Sequence, residues 1–131
     1  CIKADAETPY AVIKNVMSEL QDMNENDRKA FYDDLSSECK RMGKRFTYSQ
    51  EQLDQPATMQ RAREAAIRIA YASRAKFVIL PLQDVLGTGA DSRMNCPGVL
   101  SDRNWSWRVE EKVLTERLTK KLADMVAKAN R

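Results

Sequence analysis

A chain of 131 residues and 15.0 kDa has the size of one domain and can bury a moderate core, since domains of this length hide roughly two thirds of the surface their unfolded chains expose. Hydrophobic residues make up 43% and charged residues 31%, and no apolar run approaches the ~20 residues that span a bilayer, so no membrane partner is expected. The net charge of +3 comes from 22 basic residues scattered among 19 acidic ones, which reads as a solvated mixed surface and argues against nucleic acid as a partner.

Helical periodicity begins early. Thr8 with Pro9 suits a helix start, and Val12, Ile13, Val16, Met17, Leu20 and Met23 recur at three-to-four spacing, which predicts a first helix over about 8–23. A second is expected over about 25–42, with Ala30, Phe31, Leu35, Cys39 and Met42 on one side and Gly43 as its left-handed terminator. Its acidic start and basic end complement the helix dipole. Ser49 and Gln52 form a capping-box pattern before a short turn that Pro56 interrupts. A third helix is expected over about 57–73, where Met59, Ala62, Ala66, Ile69 and Ala70 make a smooth, small-residue face suited to close approach.

The period then changes. Phe77, Val78, Ile79 and Leu80 are an unbroken apolar run, the pattern of a strand buried on both faces of a parallel sheet, and Pro81 ends it. A strand over about 76–82 is followed by a polar loop, 83–108, and by a long helix over about 109–129 carrying Val113, Leu114, Leu118, Leu122, Met125 and Val126 at helical spacing. The fold class expected for the chain is therefore mainly α with one short strand. An unpaired central strand exposes backbone donors and acceptors as well as apolar surface. It is expected either to pair with a second copy, so that the chain self-associates, or to belong to a larger fold.

Chemistry is constrained by what is missing. There is no histidine, which removes Ser-His and Cys-His catalysis and imidazole metal ligation. Cys1, Cys39 and Cys96 are odd in number and lack CxxC spacing, so neither a disulfide framework nor a zinc site is suggested, and a reducing compartment fits. The glycines match no dinucleotide or P-loop fingerprint, and no cofactor is implied. The sequence opens at Cys1 rather than Met, and residues 1–20 have neither the basic start nor the apolar core of a signal peptide. That opening is read as the start of a piece of a longer chain.

The string PLQDVLGTGADSRMNCPG over residues 81–98, followed by NWSWR over 104–108, resembles the C-terminal region of 4-α-glucanotransferases of the amylomaltase type, the disproportionating enzymes. Three elements, PLQD-x-L-G, RMN-x-PG and NW-x-WR, occur in order and at about the family's spacing. Against the family pattern Arg74 stands where proline is usual, Asp91 and Ser92 replace Glu and Ala, and Cys96 replaces a Thr. The strong match covers roughly residues 66–108, whereas residues 1–56 fit only in being helical.

The resemblance implies a (β/α)8 barrel that transfers α-1,4-glucan segments between maltodextrins or to glucose with retention. A barrel of that kind needs at least ~200 residues, so the chain is expected to be the C-terminal fragment, with its strand the last of the barrel and residues 83–108 at the substrate cleft. Retaining transfer needs two carboxyl groups ~5–5.5 Å apart. The family's catalytic carboxylates sit upstream of this region, one of them beside a histidine that no position here can supply, so no catalytic residue is assigned and the fragment alone is expected to be inactive. Asn95, Gln83 and Asp84 are the candidate substrate-binding residues, with α-1,4-glucans and maltooligosaccharides as partners of the parent enzyme. An amide such as that of Asn95 offers both donor and acceptor to sugar hydroxyls. The local alternatives are that Asn95 caps a loop, Asp84 caps the turn 85–87 and Gln83 ties down backbone. Arg93 is expected to pair with a carboxylate, and Trp105 and Trp107 to wedge the last helix rather than to stack on sugar. The parent is placed in the cytoplasm, with the plastid stroma as the alternative. Two other classes remain open: a non-catalytic helical interaction domain, and a nucleic-acid module built from Lys40 to Arg45 and the cationic last helix.

Overall fold

The apolar run at Phe77 does not stand alone. In the computed structural model, which describes residues 3–4, 10–13 and 15–131, strand β3 (Phe77–Ile79) lies at one side of a three-stranded sheet in the order β1-β2-β3. Its neighbour β2 (Tyr10–Val12) runs parallel to it with Tyr10 opposite Phe77 and Val12 opposite Ile79, and β1 (Lys3–Ala4) pairs antiparallel with β2. The ladder is prolonged by Ile13, whose N–H donates to the Ile79 carbonyl at 3.0 Å.

This corrects two expectations. The helix expected over 8–23 gives way to strand at Tyr10–Val12, and Thr8 and Pro9, its expected start, lie outside the described residues. Burial alternates, with Ala11 and Ile13 at 0% exposure and Tyr10 at 46%, the period-two signature that the aromatic and β-branched residues here favour. Only from Val16 onward does the apolar spacing belong to a helix, α1 (Val16–Asp22), which follows Asn15 in a left-handed conformation. The strand expected to lack a partner has one, and it is not buried on both faces. Phe77 and Ile79 are 55% and 50% exposed because they share with Tyr10 the face of the sheet on which no helix packs, and the Phe77 ring stacks on Tyr10 at 5.5 Å.

Three helices enclose the core. Helix α2 (Glu25–Arg41) begins at Asn24, whose side chain accepts from the Asp27 N–H at 2.8 Å, and ends before Gly43 at φ +68°. Helix α3 (Pro56–Ala72) starts with Pro56 in its first turn, where a missing N–H costs nothing. Ala62, Ala66 and Ala70, all at 0% exposure, give α3 the narrow face on which α1, α2 and β2 settle. Leu20, Leu35 and Leu53 fill the space around it together with the Tyr32 ring, each buried leucine contributing about 1.5–3 kcal/mol. Buried Arg28 joins α1 to α2: it donates to the carbonyls of Leu20 at 3.0 Å and Met23 at 2.9 Å and pairs with Asp54. A cation there satisfies the carbonyl end of α1.

The last helix is also shorter than its periodicity suggests. Helix α5 runs Glu116–Lys128, not from 109, because the Thr115 side chain accepts from the Leu118 N–H at 3.2 Å and so sets the N-cap. Only a single turn, Glu111–Val113, precedes it. α5 lies along α3 with none of its side chains fully buried.

Candidate functional site

The stretch between β3 and α5 carries the motifs, and polar contacts decide its shape. Helix α4 (Leu82–Leu86) follows Pro81 and stops at Gly87, which adopts φ +74°. A side chain at position 87 would be strained by that backbone, which is what requires glycine there, and its Cβ, 2.7 Å from Gln60 Oε1 and 3.2 Å from the Arg63 guanidinium, would also push the Gln60 amide aside. Arg63, on α3, is only 6% exposed. Its Nη1 donates to the carbonyls of Asp84 at 2.6 Å and Val85 at 3.3 Å, groups that a five-residue helix leaves without internal partners. Burial pushes the Arg63 pKa down, partly opposed by Glu64 and Asp84.

Gln83 and Asp84 both point inward. Gln83 Nε2 donates to the Ser92 carbonyl at 3.1 Å, and the Gln83 carbonyl accepts from the N–H and hydroxyl of Thr88. Asp84 is 1% exposed, and its Oδ1 accepts from the Val16 N–H at 2.7 Å. It therefore caps the start of α1 across 68 residues of sequence rather than the turn 85–87. Its other oxygen has no partner among the described residues. Burial raises the Asp84 pKa, and the backbone N–H groups of Val16 and Met17 oppose the rise.

Beyond α4 the loop is pinned to α1. Arg93 Nε donates to Ser18 Oγ at 2.8 Å and its Nη2 pairs with Asp22 at 2.9 Å, which supplies the carboxylate partner expected for it. The Ala90 N–H donates to Gln21 Oε1 at 3.3 Å, and Gly89 comes so close to Gln21 that a Cβ would collide with the amide. Residues 96–99 form a turn closed by Val99 N–H to the Cys96 carbonyl at 3.2 Å, with Gly98 at φ +79° after Pro97, as a type II turn requires. Asn104 bridges that turn, accepting from Cys96 N–H at 3.1 Å and donating to the Val99 carbonyl at 2.8 Å.

Asn95 is half-buried between these anchors, and its side chain makes no hydrogen bond to another described residue. The structure brings Gln83, Asp84 and Arg93 together beneath the loop, and Asn95 stands on the same loop without sharing their contacts. The two tryptophans part company. Trp107 lines a cavity of about 540 Å³ with Leu86, Val113 and Leu118, against α5. Trp105 is 64% exposed at φ +64°, so it does not wedge the helix as expected. Sequence reasoning passed over Ser18, Gln21 and Arg63, which hold the loop from α1 and α3. The one signal was an arginine next to the alanine face of α3.

The fold is shared with the amylomaltase from Streptococcus agalactiae, solved in complex with acarbose: the superposition covers 93% of this chain and 22% of that one, with a TM-score of 0.65 and 23% identity. A family model described as 4-alpha-glucanotransferase matches residues 11–115, and the chain belongs to that family. It is 46% identical over 61 residues to the chloroplastic/amyloplastic 4-alpha-glucanotransferase of Solanum tuberosum, covering 44% of this chain and 10% of that protein. It is 47% identical over 53 residues to the 4-alpha-glucanotransferase of Synechocystis, 40% of this chain and again 10% of the relative. The chain thus spans about a tenth of the length of these curated relatives. No helix among the described residues is long and apolar enough to cross a membrane.

Proposed function

We propose that this chain is the C-terminal part of a (β/α)8-barrel 4-α-glucanotransferase that moves α-1,4-glucan segments between maltodextrins or to glucose by retaining double displacement. The family match over residues 11–115 carries the reading, and the anchoring of the loop to α1 and α3 supports its placement at a substrate cleft. In this reading β3 is the last barrel strand. The nucleophile and the acid/base, ~5–5.5 Å apart in a retaining enzyme, come from sequence upstream of Cys1. The chain alone is then inactive.

Asn95 is the direct glucan contact, because its amide is half-exposed and uncommitted while a primary amide can donate to one sugar hydroxyl and accept from another. Gln83 and Asp84, 7% and 1% exposed, act from beneath by holding the loop and the start of α1. The parent works in the cytoplasm or, in a plant, in the plastid stroma. The test is glucose release from maltotriose. The isolated chain is expected to release none, the full-length protein to disproportionate the sugar, and Asn95→Ala in the full-length protein to raise KM by roughly ten-fold, the worth of one or two hydrogen bonds. Transfer by the isolated chain would refute the placement of the catalytic groups.

A further inference from the structure

A second cavity lies along α5 next to the Trp107 cavity, with Arg117 and Lys121 on the border of both, and no residue of the motif loop 83–108 lines it. It measures about 600 Å³ and runs between the C-terminal half of α3 and the length of α5, a volume within the ~300–1,000 Å³ range of small-molecule sites. Its walls are unusually cationic: Lys44, Arg68, Arg117, Lys120, Lys121 and Lys128 all line it, against Asp124 as the one lining carboxylate. Two of these cations are already engaged, Lys121 by Glu64 and Arg68 by the same carboxylate at 3.8 Å. Lys44, Arg117, Lys120 and Lys128 have no carboxylate partner among the described residues.

Folding brings this charge together from separate parts of the chain. Gly43, at φ +68°, turns the chain at the end of α2 so that Lys44 reaches the groove, and the Lys44 N–H is held by the Cys39 carbonyl at 2.7 Å. On α5, Arg117, Lys120, Asp124 and Lys128 recur at three-to-four spacing and share one face. The groove is held at both ends. Lys121 pairs with Glu64 near one, and at the other Arg131 donates to the carbonyls of Tyr71 at 2.6 Å, Ser73 at 2.9 Å and Ala75 at 2.7 Å. Like charges gathered in one groove repel one another and are relieved by an anion. The floor is different in character, with the half-buried Tyr71 ring and Met125. Helix α5 lies beyond the family-matched residues 11–115, and the groove does not depend on the glucan-transfer reading.

We propose that this groove binds a phosphorylated sugar, its phosphate held by Arg117, Lys120 and Lys128 and its ring laid against Tyr71. Arginine and lysine together offer a planar fork and point charges to a phosphate dianion. Asp124, in the same wall, accepts from a ring hydroxyl and disfavours a ligand that is anionic along its whole length, such as nucleic acid. The ligand chemistry is a hexose phosphomonoester, either free or carried on a glucan chain.

The test is calorimetric titration of the 131-residue chain with glucose 6-phosphate, inorganic phosphate, a phosphorylated maltodextrin and uncharged maltotriose. Glucose 6-phosphate is expected to bind with Kd on the order of 0.1–1 mM, to bind several-fold more weakly when NaCl is raised from about 0.05 to 0.5 M, and to lose at least ten-fold in affinity in Arg117→Gln/Lys120→Gln. Both side chains are exposed on α5, so circular dichroism of the variant is expected to match that of the parent, and 31P line broadening gives an independent reading. Tighter binding of the phosphorylated dextrin identifies the glucan-borne ester as the source, and equal binding identifies the free one. Inorganic phosphate binding as tightly as the ester, maltotriose binding equally well, or affinity unchanged in the double variant would overturn the proposal.

Discussion

The three-helix core and the motif loop are held by different forces. Around α3 the contacts are apolar and nearly continuous, from Leu20 and Tyr32 to Ala62 and Ala66. Around residues 82–108 almost every contact that matters is a polar side chain reaching a backbone group or a charge: Arg63 to α4, Asp84 to α1, Arg93 to Ser18 and Asp22. Apolar burial scales with area and tolerates adjustment, whereas a buried hydrogen bond fixes direction and is costly when one partner is lost. A loop that must keep its shape while remaining open to solvent is better held by the second kind of contact.

The sharpest way to break the contrast is to damage each region by its own currency. Leu20→Ala, at 0% exposure, is expected to cost about 2–5 kcal/mol and to lower the whole denaturant midpoint, since the cavity it leaves is shared by the core. Arg63→Met keeps the apolar stem but removes the donors to Asp84 and Val85, and about 1–3 kcal/mol is expected to be lost. Its distinguishing mark is local: amide exchange in α4 and the loop should quicken far more than in α2. Uniform acceleration across the chain would show that loop and core are one cooperative unit.

Asp84→Asn has the smallest expected effect and the most specific one. The amide keeps an acceptor for the Val16 N–H while removing the buried charge. Because the folded pKa of Asp84 is raised above the ordinary value of 3.8, the unfolded chain gives up this proton first as pH rises. The aspartate therefore lowers stability progressively as pH climbs from below 3.8 through the folded value, and the loss is complete above it. The melting temperature of the variant relative to the parent is expected to rise over the same interval and then level off. A difference that is flat from acid to neutral pH would mean that the carboxylate is satisfied by a partner not seen here.

How far the sequence reveals this arrangement depends on the range of the interactions. Helices α2 and α3 are legible because their signals are local, Gly43 at the end of one and the alanine repeat along the other, although Pro56, which the sequence pattern assigns to the break before α3, is its first residue. Ser49 and Gln52 likewise form the capping box that their spacing predicts. Strand β2 is hidden because Val12 and Ile13 fit a helical register with Val16 and Met17, and it is pairing with β1 and with the distant β3 that favours the extended form. The loop motifs are legible as a family resemblance, yet the reason for their residues is not. Nothing near Asp84 in sequence announces that its ligand is the backbone of Val16, and nothing near Gly89 announces Gln21. Such contacts are set by the tertiary fold and carry no short-range pattern.

The parallel pairing of β2 with β3 also orders events in time. Closing Tyr10 against Phe77 encloses all of α1, α2 and α3, and the entropy of closing a loop that long has to be met before the ladder returns anything. Helices form within microseconds from neighbouring residues. The sheet is therefore the late step, docking onto α3 once the helices have drawn its two halves together, and during synthesis β2 leaves the ribosome well before its partner exists. Until β3 arrives, β2 has only the two-residue strand β1 beside it, and its parallel edge has no ladder to join.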